Sequence, residues 1–417
     1  MSKSPPKWFY GWWVVLISAW GLFLGPIPIV IFSFGVFLKP LTQEFHSSRG
    51  AVSLAFTLNQ AIIALGLSFA GRLLDRFGPR KVILPSTCMA GLILPLAWFC
   101  SGSIWQLYLF YLALGVAMCG VSPVSYCDVI SHWFDKHRGL ALGFMMLGLG
   151  SGALIMPPAA QYLIARFGWR LSFGIVGVAI LLITTPLLTL YLRERPESMG
   201  LVSDGDVNAT AAFRRPDADA GLSWYEARHT TTFVLLLCAF LLVAVSTNAC
   251  LTHIAPIVAD RSASAQVAAL ASSLFGAGLL VGRSGSGYLL DRFFAPRVAA
   301  LIFACAAAGM GLLGIAGSRA LTLTAAFFIG LGLGAEVDIM AYLISRYFGL
   351  RSFGTIYGFL FAGFVLAGGL GTYMMGATFD ATGSYVLPLT LFCIATFTGA
   401  ALITRLGPYQ YQKRALD

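Results

Sequence analysis

Mostly apolar stretches, each long enough to cross a lipid bilayer, recur twelve times along this 417-residue chain. About 20 such residues match the hydrocarbon thickness. By that measure, helices are expected over 11–38, 50–72, 82–100, 105–130, 139–165 and 171–192, and again over 229–258, 266–290, 298–316, 321–345, 354–378 and 386–406. Only helices and closed barrels satisfy their own backbone inside lipid. Barrel strands would be about 10 residues long and alternating, whereas these runs are longer and apolar all round. The expected fold is all-α and integral to the membrane, with twelve transmembrane helices in two six-helix pseudo-symmetric halves.

Between the two sets lies 193–228, where Arg193, Glu194, Arg195, Asp204, Asp206, Arg214, Arg215, Asp217 and Asp219 make a solvated connector. The expected organisation is therefore 1–192, a connector over 193–228, and 229–417. Only 11% of residues are charged and 58% are hydrophobic, which excludes an ordinary water-soluble enzyme, typically about 25% charged. The net charge of +10 would suggest nucleic acid on a soluble protein; here it reads as topology, with the lipid bilayer as partner and no nucleic acid. With both termini cytoplasmic, the cytoplasmic segments hold 20 Lys and Arg and the opposite loops 6, namely Lys39, Arg49, Arg166, Arg170, Arg261 and Arg319. That asymmetry predicts a cell (inner) membrane protein with cytoplasmic ends. Lys3 and Lys7 precede an apolar run starting near Tyr10, read as a first spanning helix that is retained. The eight cysteines lie in apolar stretches without metal-ligand or redox spacing, so no metal or cofactor is expected.

One string occurs twice. GRLLDRFGPRK occupies 71–81 and GYLLDRFFAPR occupies 287–297, so Asp75 and Arg76 recur as Asp291 and Arg292 after equivalent helices of the two halves. Two copies at matching positions point to duplication. The string resembles the loop 2–3 signature of the major facilitator superfamily, which implies that Asp75, Arg76, Asp291 and Arg292 are gating and packing residues. WFYGWWVV at 8–15 and HWFDKHRGLALGFMMLGLGSG at 132–152 resemble the helix 1 and helix 4–5 signatures of monocarboxylate transporters. His253-Ile254-Ala255-Pro256 in helix 7 and Gly282-Arg283 in helix 8 are similar to bacterial members and to oxalate/formate-type antiporters. The resemblance implies a carrier working by alternating access.

Ionisable groups inside a bilayer are costly and mark functional positions. Arg283 lies about 7 Å past the middle of helix 8, toward the cytoplasm. Glu336 and Asp338 fall at nearly the same depth on helix 10, separated by about 200° around its axis, so only one can face Arg283. A guanidinium presents a planar fork that accepts a carboxylate at two points. The family resemblance implies the same role, anion binding, for an arginine in helix 8. The alternatives are a static Arg283 ion pair with Asp338 or Glu336, or a water-filled gate. With both carboxylates ionised the local charge would be −1, which repels an anion unless one acid is neutral or shielded.

Tyr126 and His253 are expected to shape or complete the substrate site, and Asn248 to be ligand or interhelical glue, as are Asn59 and Gln60. Asp338 or Glu336 is expected to couple a proton, and Asp128, near the end of helix 4, to act in gating with His132 or Lys136. Glycines in helices 5, 8, 10 and 11 thin those helices for close contact, while Pro26, Pro28, Pro157 and Pro158 supply kinks. The expected activity is proton-coupled symport of a small monocarboxylate such as lactate or pyruvate by a monomer. The alternatives are a proton-driven exporter of hydrophobic or cationic compounds, or an organic-anion exchanger. Helix 11 carries no Lys or Arg between Ile356 and Phe379, so a second cation for a dianion is missing. No HExxH, nucleophile elbow or phosphate loop points to an enzyme.

Overall fold

The computed structural model describes residues 9–134, 137–201, 203, 221–262, 265–349 and 351–410. Lys136 and the connector residues Asp204, Asp206, Arg214, Arg215, Asp217 and Asp219 lie outside the described residues, as does the side chain of Asp75. Apolar side chains facing lipid and a backbone bonded within each segment make the described chain helical almost throughout.

Helix 1 comes in three pieces, Gly11–Phe23, Pro28–Phe32 and Phe34–Glu44. Pro26 and Pro28 have no N–H to give, so the chain leaves the helix at Leu24 and widens into a turn whose Ser33 hydroxyl donates to the Pro28 carbonyl at 2.9 Å. Helix 2 is Arg49–Phe77, helix 3 is Pro79–Ile93 extended by the tighter turn Leu94–Phe99, and helix 4 is Ile104–Gly120 followed by Pro123–Trp133. The continuous helix expected over 105–130 is thus broken. Pro123 cannot donate to the preceding turn, and Ser122 restarts the helix by accepting the Ser125 N–H at 3.4 Å. Helices 5 and 6 share Arg138–Ala179, with Gly168 at φ +78 between them, and helix 6 continues through Ile180–Thr184 into Thr185–Tyr191.

In the second set, helix 7 is Thr231–Ser262, helix 8 Ala265–Arg292, helix 9 Ala295–Ile315, helix 10 Arg319–Phe348, helix 11 Phe353–Thr382 and helix 12 Val386–Thr404. Among the described residues, ten stretches are apolar and long enough to cross a membrane. One of them, Arg138–Tyr191, is 54 residues long and holds the two passes joined at Gly168. Helix 2 adds another pass, its 29 residues reaching about 44 Å. Before helix 7, the short helix Trp224–Ala227 is fixed by a reciprocal cap between Ser223 and Glu226, and Leu222 donates to the Phe348 carbonyl at the end of helix 10 at 2.8 Å.

Each set of six closes around its own apolar centre: Phe34, Phe56, Tyr111 and Phe173 in the first, Phe240, Phe303, Ile339 and Tyr347 in the second. Helices 8 and 10 approach most intimately. Cβ atoms at Gly278 and Gly282 would strike the Phe327 and Leu331 carbonyls, and at Gly330 and Gly334 the Phe275 and Leu279 carbonyls. Two glycines four residues apart on each helix let the backbones touch, the packing mode that replaces a hydrophobic drive inside lipid. Between the sets, Gly35 of helix 1 lies on the Thr252 carbonyl of helix 7, and Gly276 of helix 8 on the Ala153 backbone of helix 5.

The end of the bundle near residues 9 and 410 is called the terminal face below, and the opposite end the far face. At the far face Arg170 donates to Glu44 at 2.7 Å and to the Cys100 carbonyl, fastening helices 1, 3 and 6 and holding the Glu44 carboxyl below its usual range through that hydrogen bond.

Candidate functional site

Close backbone contact between helices 8 and 10 places Arg283 beside Asp338, with Nε 3.3 Å from Oδ2. The N–H is not aimed at the oxygen, so this is a charge contact without an aligned hydrogen bond. Nη1 lies 3.5 Å from the Met146 sulfur of helix 5. The two side chains remain 20% and 38% exposed, so the pair can be reached from open space. That space is a central cavity of about 300 Å³ between the halves, into which Arg283, Asp338, Gln60, Asn248, Tyr357 and Ser122 bring polar groups. The rest of its wall is largely aliphatic and aromatic. Gln60 is buried and its Oε1 has no hydrogen-bond partner among the described residues, while Asn248 donates to the Ala244 carbonyl at 3.1 Å. A fixed cation, a nearby acid and polar amides in an apolar hollow can hold a small anion and respond to a proton.

Glu336 is fully buried on another face of helix 10, with Oε2 3.3 Å from the Thr247 hydroxyl of helix 7 and Oε1 without a partner among the described residues. It does not line the cavity. Neither does Tyr126, which is fully buried with its hydroxyl against Gly21. Asn59 turns away as well, donating to the Tyr111 carbonyl at 2.9 Å.

His253 belongs to a second cluster toward the far face. Its ring nitrogens lie 3.2 Å from Ser53 Oγ, 3.2 Å from the Tyr385 hydroxyl and 3.1 Å from the Thr372 carbonyl. Tyr385 in turn accepts from Arg49 Nη1 at 2.6 Å, and the same nitrogen contacts Asp260 at 2.6 Å. The Arg49 guanidinium lies over the Phe379 ring, 4.0 Å from its centroid. The Asp380 carboxylate accepts the backbone N–H groups of Arg49 and Gly50 at 3.0 and 2.7 Å, capping helix 2 from the opposite half. Among the described residues, Arg49–Asp260 is the ion pair that joins the halves. A vestibule of about 870 Å³ opens above it, lined by Lys39, Arg49, Asp260 and Arg261.

At the terminal face, three of the residues expected to gate make local contacts. Arg76 lies over the Phe77 ring at 5.2 Å, Arg292 over the Tyr288 ring at 4.2 Å, and Asp128 sits 3.8 Å from His132 on the same helix. Asp291 is exposed. The ion pair between the halves among the described residues, Arg49–Asp260, lies at the far face.

Sequence reasoning missed Asp260, Asp380 and Tyr385, and took Arg49 only as a loop cation. Their pairing spans more than two hundred residues of chain, and no local spacing announces it. Tyr357, Phe361 and Phe364 of the cavity were also missed, although their spacing on helix 11 was there to be read.

A family model described as Major Facilitator Superfamily matches residues 12–372. The chain is 26% identical over 406 residues to the Uncharacterized MFS-type transporter YcxA of Bacillus subtilis, covering 92% of each. It is 28% identical over 403 residues to human Monocarboxylate transporter 11, covering 93% of this chain and 81% of that one. Among solved structures, a bacterial homologue of the human lysosomal transporter Spinster, in an inward-facing and unoccupied conformation, superimposes with a TM-score of 0.68 at 20% identity, covering 96% of this chain and 95% of the other.

Proposed function

Since the chain belongs to the Major Facilitator Superfamily and is a multi-pass membrane transporter, we propose that it carries a small monocarboxylate together with a proton by alternating access. The observation that carries this reading is Arg283 beside Asp338, 3.3 Å apart in the cavity between the halves. An ionised Asp338 competes with an incoming carboxylate for the guanidinium. Protonating Asp338 removes that competitor and leaves a net positive site, so anion and proton enter together. Gln60 and Asn248 offer polar atoms to the bound acid. Glu336, facing Thr247, serves packing between helices 7 and 10, so proton uptake is assigned to Asp338. Tyr126 and His253 act outside the cavity, His253 within the far-face fastening.

In this reading, residues 1–192 and 229–417 are the rocking units, 193–228 connects them, and the protein works as a monomer in the cell (inner) membrane. Both termini are cytoplasmic, in accord with the charge asymmetry. The terminal face is then the inner one, and Asp75, Arg76, Asp291, Arg292 and Asp128 engage across the halves when it closes. Human Monocarboxylate transporter 11 is among the relatives, which supports an organic acid as cargo.

The test is uptake of labelled organic acids into proteoliposomes under an imposed pH gradient, with Arg283→Ala beside the parent. Acid uptake that rises with the inward proton gradient and vanishes in Arg283→Ala is expected. The apolar cavity wall with an acid in it favours one rival, a proton-driven exporter of hydrophobic cations. Transport of a cationic dye that survives Arg283→Ala and fails in Asp338→Asn would replace the present reading with that one.

A further inference from the structure

The cavity holds more than an anion site. Along one face of helix 11, the rings of Phe353, Tyr357, Phe361 and Phe364 follow each other with centroids 5.7, 5.6 and 5.6 Å apart. Successive planes differ by only 10°, 12° and 16°. Steps of four, four and three residues keep them on one side of the helix. Most other aromatic pairs in the chain meet edge to face or tilted, such as Phe34–Tyr111 at 89°. All four rings are half-buried, so the row is not sealed inside the protein. It starts at the first residue of helix 11, at the terminal face, and its last three rings line the cavity that contains Arg283 and Asp338.

The surrounding wall agrees with a bulky apolar guest. Ile27, Phe32, Met118, Leu279, Leu333 and Val365 contribute to it. Its volume of about 300 Å³ is that of a small drug-sized pocket and far exceeds a three-carbon acid. A lactate held on Arg283 would leave most of this surface without contact, and unfilled apolar volume is lost affinity.

We infer that the cargo is a monocarboxylate with a flat aromatic body, of the arylacetic or benzoic type, whose ring stacks in the helix 11 row while its carboxylate meets Arg283. This rests on the carboxylate role of Arg283 proposed above. Offset stacking on a parallel row gives a planar ring several equivalent positions, so the row also guides the guest from the terminal face to the cation. Tyr357, which lines the cavity together with Arg283 and Asp338, stands where the charged and aromatic parts of the guest divide.

The experiment uses the full-length protein in proteoliposomes and measures uptake of labelled phenylacetate, cyclohexylacetate and lactate under one pH gradient. The variant Phe361→Leu keeps an apolar side chain but removes the ring, and its size-exclusion profile beside the parent's checks that it folds. Phenylacetate is expected to be carried best, with its KM raised about fivefold in Phe361→Leu, while cyclohexylacetate changes by less than about twofold. Equal handling of phenylacetate and cyclohexylacetate by parent and variant overturns the aromatic preference. Lactate uptake with no competition from phenylacetate also overturns it, and leaves the carboxylate role of Arg283 standing. Failure of all three acids to move, with a cationic dye carried instead, removes that role and this inference together.

Discussion

Arg283 and Asp338 hold each other loosely, and that looseness is what a switching site requires. A buried, fully bonded ion pair would resist exchange, because breaking it strands a charge. Here the contact is 3.3 Å without an aligned N–H, and both side chains reach open space. Replacing Arg283 with Lys keeps the charge but loses the planar fork, so the KM for the acid should rise about tenfold, or about 1.4 kcal/mol, in an uptake assay. Asp338→Asn removes the group proposed to take the proton. Net uptake should lose its dependence on the proton gradient, while exchange of labelled for unlabelled acid persists at constant pH. The sign in the parent follows from the competition: uptake climbs as pH falls on the side where cargo loads. Sequence alone reached Arg283 and both acids, since charged residues in apolar helices stand out. It left open which acid faced the cation, because 200° of separation names two faces without saying which one meets helix 8.

The pairing of those side chains depends on how helices 8 and 10 meet. Gly334 lies on the Leu279 carbonyl, and Gly282 on the Leu331 carbonyl, one residue from Arg283. A methyl group at either position must push backbone away from backbone. Gly334→Ala should therefore lower stability by about 1–3 kcal/mol and pull Arg283 from Asp338, read as a lower Tm in detergent and lost uptake. Gly285→Ala, in helix 8, meets nothing within 4 Å and should leave both unchanged. The spaced glycines were legible as packing positions, and Pro26 and Pro28 as kinks. The break in helix 4 was not, because Gly120-Val121-Ser122-Pro123 sits inside an apolar run whose average hides a local cap. That break has a consequence, since Ser122 and Pro123 at the restart form part of the cavity wall.

For the whole molecule, the duplicated motif and the twelve apolar runs made the architecture readable, because lipid demands long self-bonded segments wherever the chain crosses. The far-face fastening was unreadable, since Arg49, Asp260 and Asp380 come together only when two halves dock. Arg49→Ala and Asp260→Asn should shift the population toward a conformation open at that face. Cys127 lines the central cavity and supplies the probe. Its labelling by a membrane-impermeant maleimide applied from the far side, followed by mass spectrometry of that cysteine, should accelerate in both variants; an unchanged rate would mean that the cluster does not hold the halves.

Asp380 caps helix 2 from the other half of the molecule, and that cap has a price in water. Its carboxylate covers the first amide hydrogens of helix 2. If the halves part as proposed, those hydrogens are left bare and water must replace a negative charge with neutral dipoles. In the proposed cycle, opening the far face thus begins with a wetting step and closing it with a drying one, and the recovered carboxylate contact favours the closed arrangement.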